Sequence, residues 1–153
     1  MKSVKYAKRH TFHVSKLIRA PLRFVYNWCT DYRETDPQLT GSKSKRAILL
    51  KTKHRVVYTV SYRNRGKPRS AVDVVTLHPP NWWHLDFVGD DDDETGDYTL
   101  TPLGASKTRL DMTFTERYKI RGAPSKAQDT KSTHVFWDKL VAGLEKDYSR
   151  RRR

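Results

Sequence analysis

Glu116 is the first residue whose type and spacing could do chemistry. It alternates with Met112 and Phe114, so on a strand its carboxyl shares their apolar face. A carboxylate there is costly unless it is paired. Two readings follow: an acid–base group inside a cavity, or a group at a cavity mouth paired with a nearby Lys or Arg. Tyr58, Tyr62, Tyr98 and His134 are the other side chains that could donate to a ligand carbonyl. Metal chemistry finds no support. The six histidines include no pair at helical ligand spacing, and His10 and His13, three apart on a strand, face opposite sides. The run Asp90 to Glu94 lacks the glycine and the spaced ligands of a calcium loop, and reads as a solvated hairpin turn. Cys29 is the single cysteine, so it forms no internal bridge and suggests a reducing compartment. No Gly-x-Ser-x-Gly motif occurs and the seven glycines are scattered, which leaves no nucleophile elbow or phosphate loop. The expectation is no catalytic residue, no metal and no cofactor.

The elements that would position these groups can be read from periodicity. His10 to Ile18 is a strand with Phe12, Val14 and Ile18 on one parity and Lys16 as the exception. Pro21 opens a short helix, with Leu22, Val25, Tyr26 and Cys29 as its apolar stripe. Thr30-Asp31 and Thr35-Asp36-Pro37 read as stop or cap signals, with a second short helix around Asp31 to Glu34. Strands follow at Lys45 to Lys51, His54 to Arg63, Arg69 to His78, Trp82 to Val88, Gly96 to Thr101 and Thr108 to Tyr118. The clearest is the second of these, with Val56, Tyr58, Val60 and Tyr62 on one face. Trp83, Leu85 and Phe87 share a face, so the adjacent Trp82 must point outward. After Pro124, Ser125 can cap a long helix whose stripe is Phe136, Trp137, Leu140, Val141, Leu144 and Tyr148. Gly143 interrupts it, a placement that suggests close approach to the sheet.

This order predicts one α+β domain over residues 1–153, with a core of about 10–149. Short connections imply an antiparallel meander. Seven strands with one apolar face curl, and only the long helix is large enough to cover them. The gap between a curved sheet and a helix is a natural pocket. Tyr58, Val60, Leu85, Phe87, Tyr98, Leu100, Met112, Phe114, Trp137 and Val141 are expected to line it, with Tyr62, Glu116 and His134 as candidate polar groups.

Charge adds a second theme. Lys and Arg number 31 against 17 Asp and Glu, a net charge of +14. Residues 1–30 carry seven bases and no acid, and residues 37–72 carry ten bases and no acid. The chain ends in Arg150 to Arg153. Such asymmetry favours contact with a polyanion, either RNA or an anionic membrane surface, with Arg55, Arg63, Arg65, Lys67 and Arg69 grouped on one hairpin. No RNA-recognition motif accompanies them. No segment has the apolar length of a membrane span or a signal peptide, so the expected location is the cytoplasm.

Residues Val14 to Pro21, reading VSKLIRAP, followed by Val25 to Asp31, reading VYNWCTD, resemble the opening of the START-like, or SRPBCC, superfamily. Gly96 to Leu103 with Thr108 to Leu110 resembles its paired late strands, and the C-terminal amphipathic helix completes the pattern over roughly residues 10 to 148. Tyr26 stands where that pattern often has Trp. The nearest sub-group in appearance is the polyketide cyclase/dehydrase and lipid-transport proteins. The resemblance implies a helix-grip fold with two short helices between the first and second strands, and a deep cavity for lipids, polyketides or similar ligands. It carries over no catalytic residue. The leading expectation is therefore a binder or carrier of a hydrophobic or aromatic small molecule, rather than an enzyme. The alternatives are a cyclase- or dehydrase-type enzyme and a basic module docking on RNA or an anionic membrane.

Overall fold

The computed structural model describes residues 3–151; Arg152 and Arg153 of the expected basic tail lie outside the described residues. Strand β1 (Lys8–Ile18) leads to the short helices α1 (Leu22–Thr30) and α2 (Asp36–Leu39). Six strands follow: β2 (Lys45–Lys51), β3 (Arg55–Asn64), β4 (Lys67–His78), β5 (Trp82–Gly89), β6 (Asp92–Gly104) and β7 (Lys107–Tyr118). Helix α3 (Lys126–Arg151) ends the chain. The sheet order is β1-β7-β6-β5-β4-β3-β2, antiparallel throughout. The six later strands form the expected meander, and α1 and α2 carry the chain from one edge of the sheet to the other. This is the helix-grip architecture, a curved seven-stranded sheet with a long C-terminal helix.

Alternation decides the inner face. In β7, Leu110, Met112, Phe114, Glu116 and Tyr118 are buried at every second position. The register sets Phe12 against Phe114 and Trp83 against Tyr98. Trp83 is 1% exposed whereas Trp82 is 42% exposed, and Trp82 stacks on His78 with ring centroids 3.5 Å apart. Lys16 keeps its inward parity because its ammonium reaches Asp138 of α3 at 2.6 Å. It is one of several polar ties between α3 and the front of the chain. His10 Nε2 lies 2.6 Å from Asp129, Arg19 pairs with Glu145 at 2.9 Å, and the Trp28 indole donates to Asp147 at 2.9 Å. Ser125 and Gln128 form a reciprocal capping box at the start of α3, with bonds of 3.1 and 2.8 Å.

Three local expectations change. The second short helix occupies Asp36–Leu39, not 31–34. Pro37, read as a stop, sits in the first turn, where its missing N–H costs nothing, and the Asp36 carboxylate accepts the Arg33 N–H at 2.9 Å. The acidic run is mostly strand: β6 begins at Asp92, and only Asp90 and Asp91 make the turn. Its carboxylates find distant partners, Asp93 at 2.8 Å from Lys119 and Asp91 at 3.1 Å from Arg69. Gly143 approaches α1 rather than the sheet. A Cβ there would meet only Trp28, at 3.8 Å.

Candidate ligand-binding cavity

Helix α3 packs against β1 and the two short helices. Its Trp137 reaches inward to Tyr98, 6.0 Å between centroids. The β3–β5 half of the inner face is left without the helix directly on it, and there a cavity of about 350 Å³ opens. Its sheet wall is Tyr58 and Val60 from β3, Leu85 and Phe87 from β5, and Tyr98 from β6. Trp28, Cys29 and Tyr32 close the α1 end, and Trp137, Leu140 and the exposed Phe136 come from α3. The segment Asp36 to Ser44 and Arg46 form the rim.

The rings are in mutual contact, and one pair is stacked. Trp83 and Tyr98 lie face to face, 4.8 Å apart and 7° from parallel. Tyr32 and Tyr58 are 5.6 Å apart. The Arg46 guanidinium sits 4.2 Å from the Tyr58 ring centroid and 5.7 Å from that of Tyr32, a cation–π arrangement. The same guanidinium donates to Asp36 at 2.9 Å and to the Arg33 carbonyl at 3.1 Å. It thereby pins α2 at the rim.

Beside this wall lies Asp73, opposite Tyr58 in the β3–β4 register and 4% exposed. Burial pushes its carboxyl up to about 7, opposed by hydrogen bonding from Tyr58 and the attraction of Arg46. Its Oδ1 has no partner within hydrogen-bond distance. Burial likewise drives the hydroxyls of Tyr58, Tyr98 and Tyr32 above the ordinary tyrosine value. Cys29 is pushed up to about 12, again by burial. At neutral pH the cavity therefore holds neutral phenols, a thiol with no nucleophilic character and, beside Tyr58, a carboxyl that changes protonation state.

Of the expected lining residues, Tyr58, Val60, Leu85, Phe87, Tyr98 and Trp137 come together on this cavity. Leu100, Met112 and Phe114 do not line it; they are buried in the hydrophobic core. Parity assigned them the correct face, but parity does not say which half of the face is filled. Val141 borders a shallow hollow with Arg19 and Glu145 on the far flank of α3. Tyr62 faces an open groove beyond the β3–β4 hairpin, and His134 lies with Lys131 on the outer side of α3.

Glu116 is inward but remote from the cavity, and among the described residues it has no basic partner. It is 4% exposed and sits opposite Glu94, with Asp92 beside it. Burial, then the neighbouring Glu94 and Asp92 carboxyls, drives its carboxyl far above the ordinary range and favours its protonated form. Asp129, the acceptor of the Tyr118 hydroxyl at 2.9 Å, completes this end. Among the described residues no His, Cys, Asp and Glu group has the geometry of a metal site.

Trp28, Tyr32 and Trp83 line the cavity beyond the expected set, and neither Asp73 nor Arg46 was expected at the site. Asp73 carried a signal, since a charge stands on the apolar parity of Ala71, Val75 and Leu77. Arg46 carried only weak parity with Ile48.

No family profile matches the chain, and no curated protein is similar to it in sequence. Solved structures are similar in fold. An aromatase/cyclase from Streptomyces sp. R1128 superposes with a TM-score of 0.72 at 14% identity, covering 95% of this chain and 97% of that one. TTHA0849 from Thermus thermophilus gives 0.71 at 17% identity, over 88% and 97%. A START superfamily protein from Mycobacterium smegmatis gives 0.68 at 15% identity, over 92% and 98%. The fold is that of the START/SRPBCC proteins. Among the described residues no helix is long and apolar enough to cross a membrane.

Proposed function

We propose that this chain binds a flat hydrophobic or aromatic small molecule in the cavity between the sheet and α3. The observation that carries the reading is the cavity itself, about 350 Å³ and walled by aromatic rings. That volume lies within the roughly 300–1,000 Å³ of small-molecule sites. Neutral phenols on a largely apolar wall, with Arg46 and the hydroxyls of Thr40, Ser42 and Ser44 at the rim, suit a ligand with a few carbonyl or hydroxyl groups. Trp28, Trp83 and Trp137 all border the space, so occupancy reports on tryptophan emission. Titration with naphthol should quench that emission saturably at one equivalent. A linear, non-saturating response would sink the reading.

One observation favours a second reading, an enzyme of cyclase or dehydrase type. Asp73 is held at about 7 beside the Tyr58 hydroxyl, which suits proton exchange with a ligand carbonyl through Tyr58 near neutral pH. Docking of the basic surface on RNA or an anionic membrane stays a third proposal, supported by the net charge of +14.

A further inference from the structure

We infer that the cavity is one half of a bipartite site whose other half, an open basic groove at its rim, takes a phosphate, so that the ligand is a phosphorylated amphiphile. Ser42 and Ser44 line both the cavity and the groove. The two spaces therefore meet at this pair of hydroxyls. The groove measures about 750 Å³ and runs between the α2–β2 connection and the β3–β4 hairpin.

Its lining is of a different kind from the cavity's. Lys43, Lys45, Arg63 and Arg69 supply cations, and Ser61 and Ser70 add hydroxyls to those of Ser42 and Ser44. Arg69 is engaged by Asp91 at 3.1 Å. Among the described residues, Lys43, Lys45 and Arg63 have no carboxylate within ion-pair distance; Arg63 spends one N–H on the Gly66 carbonyl at 2.7 Å. The one acid on the groove, Asp90, is turned back to the Ser70 amide, 2.8 Å away, and its hydroxyl at 3.4 Å. Ser42 and Ser44 hydrogen-bond each other at 2.8 Å, so the three cations without an acidic partner carry the argument: with the serine hydroxyls around them they match a phosphomonoester, which carries close to two charges and three acceptor oxygens at neutral pH. A single carboxylate would leave most of these donors unused. An apolar body in the cavity and a phosphate across the Ser42–Ser44 rim satisfy both linings at once.

The inference rests on the cavity accepting an apolar body, and the test separates the two. Calorimetric titrations compare naphthol, naphthyl phosphates carrying alkyl spacers of increasing length, and inorganic phosphate. They use wild type, the exposed double variant Lys43→Ser/Lys45→Ser, and the control Lys131→Ser/Lys139→Ser, which loses the same charge on α3. At low salt the best spaced phosphate should bind roughly tenfold or more tighter than naphthol, as expected for charge-assisted hydrogen bonds. That gain should vanish in the groove variant and persist in the control. Inorganic phosphate should compete with the phosphorylated probe and leave naphthol binding unchanged. If naphthol binds but no spaced phosphate gains over it, or if both variants lose the gain equally, the groove inference is overturned and the cavity reading stands. If naphthol itself does not bind, the cavity reading falls and takes the inference with it. Sedimentation with phosphatidylcholine vesicles, with and without phosphatidic acid, then separates the sources. Capture dependent on phosphatidic acid assigns a membrane lipid, and binding of the free probes alone assigns a soluble phosphorylated compound.

Discussion

Replacing Asp73 by Asn removes a buried ionisation while keeping a side-chain oxygen for the Tyr58 hydroxyl. In the folded chain the carboxyl titrates at about 7, raised chiefly by burial; in the unfolded chain it titrates near ~3.9. A folded value above the unfolded one means that the folded state holds the proton more tightly. The associated stability is fully present below about pH 4 and is lost as pH rises through 7. A gap of about three units at ~1.36 kcal/mol each is about 4 kcal/mol across that window. Asn carries no charge at any of these values, so Asp73→Asn should lack this part of the slope. Urea unfolding of both proteins at half-unit steps from pH 4 to pH 8 measures it. The difference in unfolding free energy should move in the variant's favour by about 4 kcal/mol between the ends, and should level off above pH 7. Other titrating groups are common to both chains and cancel in the difference. Parallel profiles would refute the claim that Asp73 is held protonated by its surroundings.

Glu116→Gln should act in the same direction at the opposite end of the sheet. Burial and then Glu94 and Asp92 raise that carboxyl, so its stabilising protonation is progressively lost above the ordinary Glu value. The variant's melting temperature should gain on wild type as pH rises, and scanning calorimetry at two pH values checks it. Gly143→Ala has room for its methyl beside Trp28 and should stabilise by about 1 kcal/mol through helix propensity, read as a rise in melting temperature. Ser125→Ala breaks the capping box and should cost about 1 kcal/mol, read by urea unfolding.

Much of the architecture was legible because it is local. The alternation of Val56, Tyr58 and Val60, or of Leu110, Met112 and Phe114, is written in a few neighbouring residues, and each pair of neighbouring strands in the meander is joined by a short turn. The misreadings fall where the partner lies far along the chain. Asp92 to Glu94 looked like a solvated turn because Lys119 and Glu116, which accommodate them, come more than twenty residues later. Arg46 looked like one more surface base; Tyr58 reaches it through the β2–β3 pairing, but the Tyr32 ring is brought there only by the α1–α2 connection. Five of the expected residues that line the cavity, Tyr58, Val60, Leu85, Phe87 and Tyr98, share one sheet face with the core residues Leu100, Met112 and Phe114. What divides them is where α3 lies across the sheet, and that is set by packing of residues far apart in the chain, chiefly Trp137 and Leu144 in the core. Inward parity is a property of a strand, whereas an unfilled space is a property of the whole packing.

The central claim is that the space walled by Tyr58, Trp83, Tyr98 and Trp137 holds a small molecule. Native mass spectrometry of the protein purified from its own cells tests it directly, alongside a Val60→Trp variant prepared the same way to fill the cavity. Wild type should carry a single small-molecule adduct that is released on unfolding, and the folded variant should run at its bare mass. A bare wild type, or the same adduct on both proteins, would contradict it.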